Sequence, residues 1–249
     1  MITLFESDTH KNFMFNNLSS GAMIQANQHV VVNNEEVMIL DPGGHKIHTR
    51  LFSELSSAVQ VNKIHHIFFS HQDPDIVAAA NAWLMMTDAR AYLPVIWTRF
   101  VAHFGVDGLS AKRIETIPDK GMVITVGGDP FKVIPAHFLH SSGNFHVYDP
   151  VSKIFYSGDM GASPAAPYDI VEDFDAHIQY MEGFHKRYMP SSRAIKLWAN
   201  MVKDLDIEIF APQHGAIFNT PALARQFIDW IESLPVGADI MDDVYRIPG

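Results

Sequence analysis

The 249-residue sequence contains no cysteine. That absence excludes disulfides, thiolate zinc sites, iron–sulfur clusters and cysteine nucleophiles. Any metal must therefore be held by nitrogen and oxygen. The sequence also lacks an apolar run near the ~18 residues that cross a bilayer. Its first residues, Met1-Ile2-Thr3-Leu4-Phe5-Glu6, have no basic region and begin nothing like a signal sequence. A soluble, cytoplasmic protein with no membrane contact is the expectation. Lys and Arg form no cluster, and the formal charge is −10 with histidine neutral. No nucleic-acid partner is expected from such a surface. No internal repeat, low-complexity segment or composition break divides the chain, so one domain over residues 1–249 is expected.

What remains is ample core material. Hydrophobic residues make up 47% of the chain and charged residues 18%, which suits a large α/β domain. Met23 to Val32 and Glu36 to Leu40 are β-rich runs separated by Asn33-Asn34, a hairpin signal because asparagine tolerates positive φ. Ile47, Leu51, Leu55 and Ala58 lie on one face of a helix over about 46–59. Ile64 to Phe69 reads as a buried strand, and Ile76 to Met86 as a packed helix with Met85 and Met86 filling core. Leu93 to Trp97 reads as a strand, followed by a helical piece around Arg99 to Phe104. Short β-runs follow at Met122–Val126, Phe131–Pro135, His146–Tyr148 and Ile154–Tyr156. Helical pattern runs from Asp173 to Leu205 with a break near Pro190. A short strand at Glu208–Ala211 precedes a last helix that starts at Thr220-Pro221 and runs to about Leu234. Strands then helices, twice over, suggest two packed sheets with helices outside.

The most informative stretch is Phe68-Phe69-Ser70-His71-Gln72-Asp73-Pro74-Asp75-Ile76. One imidazole and two carboxylates alternate just after an apolar strand. The ordinary reading is a polar helix start, with Asp73 as cap and Pro74 in the first turn. A second reading is a loop curled around a cation. Three more apolar runs end in the same manner. They lead to His140 in Phe138-Leu139-His140-Ser141-Ser142-Gly143-Asn144, to Asp159 in Ser157-Gly158-Asp159-Met160-Gly161, and to His214 in Ala211-Pro212-Gln213-His214-Gly215. Functional loops gather at one edge of a sheet scaffold, so the six residues His71, Asp73, Asp75, His140, Asp159 and His214 are candidate metal ligands.

In order and in local sequence, these segments resemble the metallo-β-lactamase superfamily. They are most similar to the diiron domain of flavodiiron proteins and to their flavin-less relatives, the oxygen-binding diiron proteins. The superfamily loop is His-x-His-x-Asp-His, and flavodiiron domains carry Glu at its second His. Here Asp73 stands at that place and Ile76 replaces the last His. Ile39-Leu40-Asp41-Pro42-Gly43 resembles the early Asp turn that supports the metal loop. The resemblance implies an αββα sandwich, an α/β fold of two mixed sheets packed face to face with helices outside. It implies His71, Asp73 and His140 on a first metal, Asp75 and His214 on a second, and Asp159 bridging them.

Three imidazoles and three carboxylates form a hard, anionic set that suits two iron ions, with manganese or zinc as alternatives. No loop rich in Thr, Ser and Gly offers to cradle a phosphate, so no FMN is expected. Without a tethered electron donor, O2 bound by a diferrous pair is expected to persist as a peroxo adduct. That persistence suits an oxygen sensor reporting to a signalling protein, such as a chemotaxis system, better than an enzyme. The alternatives are an O2 or NO reductase served by an external redox partner, a dinuclear metallo-hydrolase, and a metal-free module. A homodimer is expected by analogy.

The remaining polar groups receive lesser roles. His10, His29, His45, His48, His103, His177 and His185 are expected at the surface or as incidental. His65 and His66 lie in the strand before the loop, one toward a helix and one toward a neighbouring strand. His137 and His146 flank His140. Tyr156 and Tyr180 are candidate donors to a bound oxygen species.

Overall fold

A computed structural model describes residues 1–106, 108 and 110–248. Seven strands form the first sheet in sequence order: β1 (Ile2–Glu6), β2 (His10–Phe15), β3 (Gln28–Asn33), β4 (Glu36–Leu40), β5 (Ile64–Phe68), β6 (Arg90–Pro94) and β7 (Ile114–Ile117). From β1 to β4 each neighbour is antiparallel, and from β4 to β7 each is parallel. The change follows from the connections. β3 and β4 are joined by a tight turn in which Asn34 takes φ 51°. β4 and β5 are joined through the helix α1 (His45–Ala58), and a helical crossover returns the chain parallel.

The second sheet holds β8 (Met122–Val126), β9 (Asp129–Pro135), β10 (Phe145–Tyr148), β11 (Ile154–Tyr156) and β12 (Ile209–Ala211), in the order β12-β11-β10-β9-β8. Only β11 and β12 run parallel. The two sheets meet through one apolar layer that includes Met38, Leu40 and Phe68 from the first and Phe131, Phe145 and Val147 from the second. Full burial of one such ring contributes about 1.5–3 kcal/mol.

Helices cover both outer faces. α1, α2 (Pro74–Val77) and α3 (Ala80–Met86) pack on the first sheet. α5 (Phe174–Tyr188), α6 (Ser192–Val202) and α7 (Pro221–Ser233) pack on the second. The short α4 (Thr98–Val101) follows β6. The starts of α5, α6 and α7 are capped by Asp173, Ser191 and Thr220, each accepting a backbone N–H three residues on. This is the two-sheet, helix-flanked α/β sandwich expected from the sequence.

Three local expectations change. The helix read over 76–86 is two helices, because the Ala79 N–H turns away to the Gly43 carbonyl. Its Met85 and Met86 are exposed rather than core, since Ala80, Trp83 and Leu84 occupy the buried face. The strand read over 93–97 sits at Arg90–Pro94, and Pro94, which has no N–H to donate, closes it.

Candidate metal centre

The topology brings the ligand-bearing loops to one edge. β4 and β5 are parallel neighbours, so the turns at Asp41 and His71 leave from the same end. β9, β11 and β12 all point one way in the second sheet, so the loops with His140, Asp159 and His214 leave together. Backbone bonds tie these loops, across the two sheets and within the second. The Phe145 N–H donates to Ser70 O at 3.1 Å, and the Gln213 N–H donates to Gly158 O at 2.7 Å. Asp41 Oδ1 accepts the Ser70 N–H at 2.7 Å, so it braces the loop as its turn suggested. Burial raises the Asp41 carboxyl to about 6, against the pull of the Ser70 N–H and His71. Gly215 is required after His214: its φ is 82°, and a Cβ there would lie 2.2 Å from Ser163 O.

All six candidate side chains meet in one cluster, and Asp159 divides it. Asp159 Oδ2 lies 2.7 Å from His140 Nε2 and 3.8 Å from His71 Nε2. Asp73 Oδ2 completes that side, 3.7 Å from His71 Nε2 and 3.5 Å from His140 Nε2. The other oxygen, Asp159 Oδ1, lies 3.5 Å from His214 Nε2, which is also 3.5 Å from Asp75 Oδ2. His71, Asp159 and His214 form a buried floor, while Asp73 and Asp75 form a half-open rim. Asp73 precedes Pro74 at the start of α2, yet its carboxylate caps nothing. The helix-start reading therefore describes its backbone and not its side chain.

The donor atoms are set for metal. His214 Nδ1 donates to the Gln25 carbonyl at 2.6 Å, which leaves Nε2 as the lone-pair nitrogen. His71 Nδ1 lies 2.9 Å from Ser70 Oγ, which holds that edge of the ring and leaves Nε2 turned to the cluster. His71 Nε2 and Asp159 Oδ1 are buried and have no hydrogen-bond partner among the described residues. Such orphaned atoms are costly unless something else satisfies them, and two cations, one on each side of Asp159, would do so. Without cations, protons hold the cluster together. Burial alone would lower the His71 pKa, but Asp159, Asp73 and Asp41 outweigh it and raise it to about 9. Burial pushes Asp159 up, but His71, His214 and His140 hold its carboxyl far below the usual range.

Residues 24–215 match the family described as ODP family beta lactamase. The chain belongs to the ODP family. It is similar to the solved structure "Peroxy diiron species of chemotaxis sensor ODP", with 37% identity, TM-score 0.88, and coverage of 98% of this chain and 99% of that one. A second solved structure, the apo state of the chemotaxis sensor ODP from T. denticola, is 36% identical, with TM-score 0.88 and 98% of each chain covered. Rubredoxin oxygen:oxidoreductase from Desulfovibrio gigas shares the fold at 13% identity, TM-score 0.79, over 93% of this chain and 61% of that one. Uncharacterized protein MJ0732 of Methanocaldococcus jannaschii is 32% identical over 107 residues, 41% of this chain and 27% of that protein. The chain thus spans about a quarter of that relative's length.

Several residues in this ODP-family chain depart from their expected roles. Tyr156 OH accepts from Asn12 Nδ2 at 2.8 Å, and its ring lies against His29 in the layer between the sheets. Tyr180 sits beside Tyr168 and His177. Tyr188 does lie against a candidate ligand: its ring centre is 5.6 Å from that of His140, and Phe184 adds a second wall. Both come from α5 and are one helical turn apart. That spacing was visible in the sequence, but the face they present was not.

Four histidines expected to be incidental are fully or almost fully buried: His10, His29, His177 and His185. His10 pairs with Asp149 between the sheets. His185 Nε2 accepts the Gly161 N–H at 3.0 Å and so holds the turn after Asp159. His48 is also buried, against Trp83. His66 stacks on Tyr92 of the neighbouring strand, while His65 is exposed near Glu36 rather than against a helix. His146 accepts the Trp198 Nε1–H and lies in the core. Ile76 is fully buried in the apolar layer under α1–α3, so the Asp75–His214 side has one imidazole where the other has two. Among the described residues no helix is long and apolar enough to cross a membrane.

Proposed function

We propose that this chain holds two iron ions and binds O2 between them as a long-lived adduct, acting as an oxygen sensor. The observation that carries this reading is the split of Asp159, whose two oxygens address separate histidine groups. In this reading His71, Asp73 and His140 hold the first ion, and Asp75 and His214 the second. Asp159 holds both. The three carboxylates offset three of the four positive charges of a ferrous pair. Two ferrous ions would supply the two electrons that O2 takes up on binding.

The chain's own residues do the rest. Gln25 O fixes the tautomer of His214, and Ser70 Oγ holds the His71 ring in place. Phe184 and Tyr188 wall the His140 side, and the half-open rim at Asp73 and Asp75 admits a small diatomic ligand. The less furnished Asp75–His214 side leaves room for that ligand. Likeness over the whole chain to a structure named as a chemotaxis sensor supports a signalling partner, and the reading includes a homodimer.

The test is anaerobic. The protein is purified without air, its iron counted, and O2 admitted while the visible spectrum is followed. Two irons per chain and a charge-transfer band that persists without gas turnover are expected. Steady O2 or NO consumption with reductant and a rubredoxin or flavoprotein donor would replace the sensor by a reductase. Zinc with ester or phosphodiester hydrolysis would replace both.

A further inference from the structure

The Asp73 carboxylate is held from behind by three residues that no ligand pattern marks. Gln72 Nε2 donates to Asp73 Oδ1 at 2.8 Å. Ser141 Oγ donates to Gln72 Oε1 at 2.5 Å. Trp97 Nε1 donates to Ser141 Oγ at 3.1 Å.

Chemistry fixes the direction of this chain. An indole N–H can only donate, so the Ser141 oxygen must accept from it. The Gly143 N–H reaches the same oxygen at 3.3 Å. The Ser141 hydrogen is then free for the Gln72 carbonyl. That sets the amide so that its NH2 faces Asp73; turned over, the amide would present oxygen to a carboxylate. Every donor thus points toward Asp73, and aligned hydrogen bonds strengthen one another. The bond occupies Asp73 Oδ1 and leaves Oδ2 as the oxygen that faces His71 and His140.

The backbone is shaped for this contact. A Cβ on Gly143 would lie 2.6 Å from Ile96 and 2.9 Å from Trp97 Nε1. A side chain on Gly143 would press on the Ile96 and Trp97 side chains, so glycine there leaves room for the indole beside Ser141.

We propose that Trp97, Ser141 and Gln72 form a positioning relay that makes Asp73 a one-oxygen ligand and sets the affinity of the first metal. This inference rests on the two-metal reading and deepens it. The relay begins at a half-buried tryptophan in the turn after β6 and ends on the site's rim.

The test titrates metal-free protein with Co(II) alone and reads visible absorption, with thermal melting of the same samples. The native chain takes up two Co(II). Gln72→Met and Ser141→Ala weaken the Asp73-side ion by about 10–100-fold, as loss of an outer hydrogen bond to a ligand does, and alter its absorption bands. Trp97→Phe keeps an aromatic ring, loses the N–H, and shifts the same ion in the same direction. Ser141→Thr restores the hydroxyl and the native isotherm. The other ion is unchanged throughout. Variants that melt like the native chain and bind both ions with native affinity overturn the relay while leaving the two-metal reading intact. Equal weakening of both ions also overturns it. A native chain that takes up fewer than two Co(II) overturns the reading beneath it.

Discussion

Asp159 approaches His140 to 2.7 Å through Oδ2, while its other oxygen is buried without a hydrogen bond among the described residues. A carboxylate engaged on one side and orphaned on the other is poorly suited to a plain ion pair. It is well suited to a bridge between two cations. Asp159→Asn keeps the shape but removes the charge and one acceptor oxygen. Elemental analysis after anaerobic iron loading is expected to fall from two metals per chain to at most one. Two tightly held metals in Asp159→Asn would contradict the bridging role.

Metal loading competes with protons at His71. Its imidazole, buried yet flanked by Asp159, Asp73 and Asp41, is raised to about 9 in the metal-free cluster. At neutral pH it therefore carries a proton that a metal must displace. Apparent affinity should rise with pH up to about 9 and level off above it. Calorimetry in buffers of different ionisation enthalpy should show at least one proton released per chain near pH 7. No buffer dependence would contradict this protonation state.

The His10–Asp149 pair lies away from the cluster and predicts a stability profile. Both side chains are fully buried and 2.7 Å apart. Burial lowers the His10 pKa, but Asp149, Asn33 and Asn12 outweigh it and leave it raised. Burial raises Asp149, but His10, Ser152 and Asn12 leave it lowered. A raised histidine stabilises fully below its unfolded value of about 6.5, and the contribution is lost as pH climbs through the folded value. A lowered aspartate stabilises above about 3.9, and its contribution is lost as pH falls through the folded value. His10→Ala should cost about 3–5 kcal/mol near pH 6, since it takes the charge partner from a buried carboxylate that keeps its bonds to Asn12 and Ser152. The gap to the native chain should narrow above the His10 folded pKa. Denaturant unfolding across pH measures it, and a gap that widens with pH would refute the assignment.

Gly215→Ala places a Cβ 2.2 Å from Ser163 O at a positive φ. Strain of this kind costs about 1–3 kcal/mol. Because His214 is the preceding residue, its metal should suffer more than the first. Melting temperature and Co(II) titration together check both effects, and an unchanged isotherm would detach this turn from the site.

Much of the scaffold was readable because local chemistry and tertiary structure agree. Thr220-Pro221 begins α7 where capping says it should, and Ile64 to Phe68 is a buried strand that ends at the His71 loop. Each of the six candidate donors stands where an apolar run ends. The partition of Asp159's two oxygens is a tertiary fact that no local pattern carries. The Gln72–Ser141 bond spans 69 residues and the Asn12–Asp149 bond 137, so neither leaves a periodic trace. Buried histidines such as His185 escaped because an imidazole in a helix reads the same whether it faces water or holds a turn. Met85 and Met86 were misplaced because the helix breaks at Ala79 and restarts with a different buried face.

The central claim is that one carboxylate joins two irons that together hold O2. Mössbauer spectroscopy of protein loaded anaerobically with 57Fe and then exposed to O2 tests it most directly. The account predicts two irons per chain that become one spin-coupled ferric pair and stay so for as long as the visible band lasts. Two magnetically independent irons, or a single iron per chain, would contradict it.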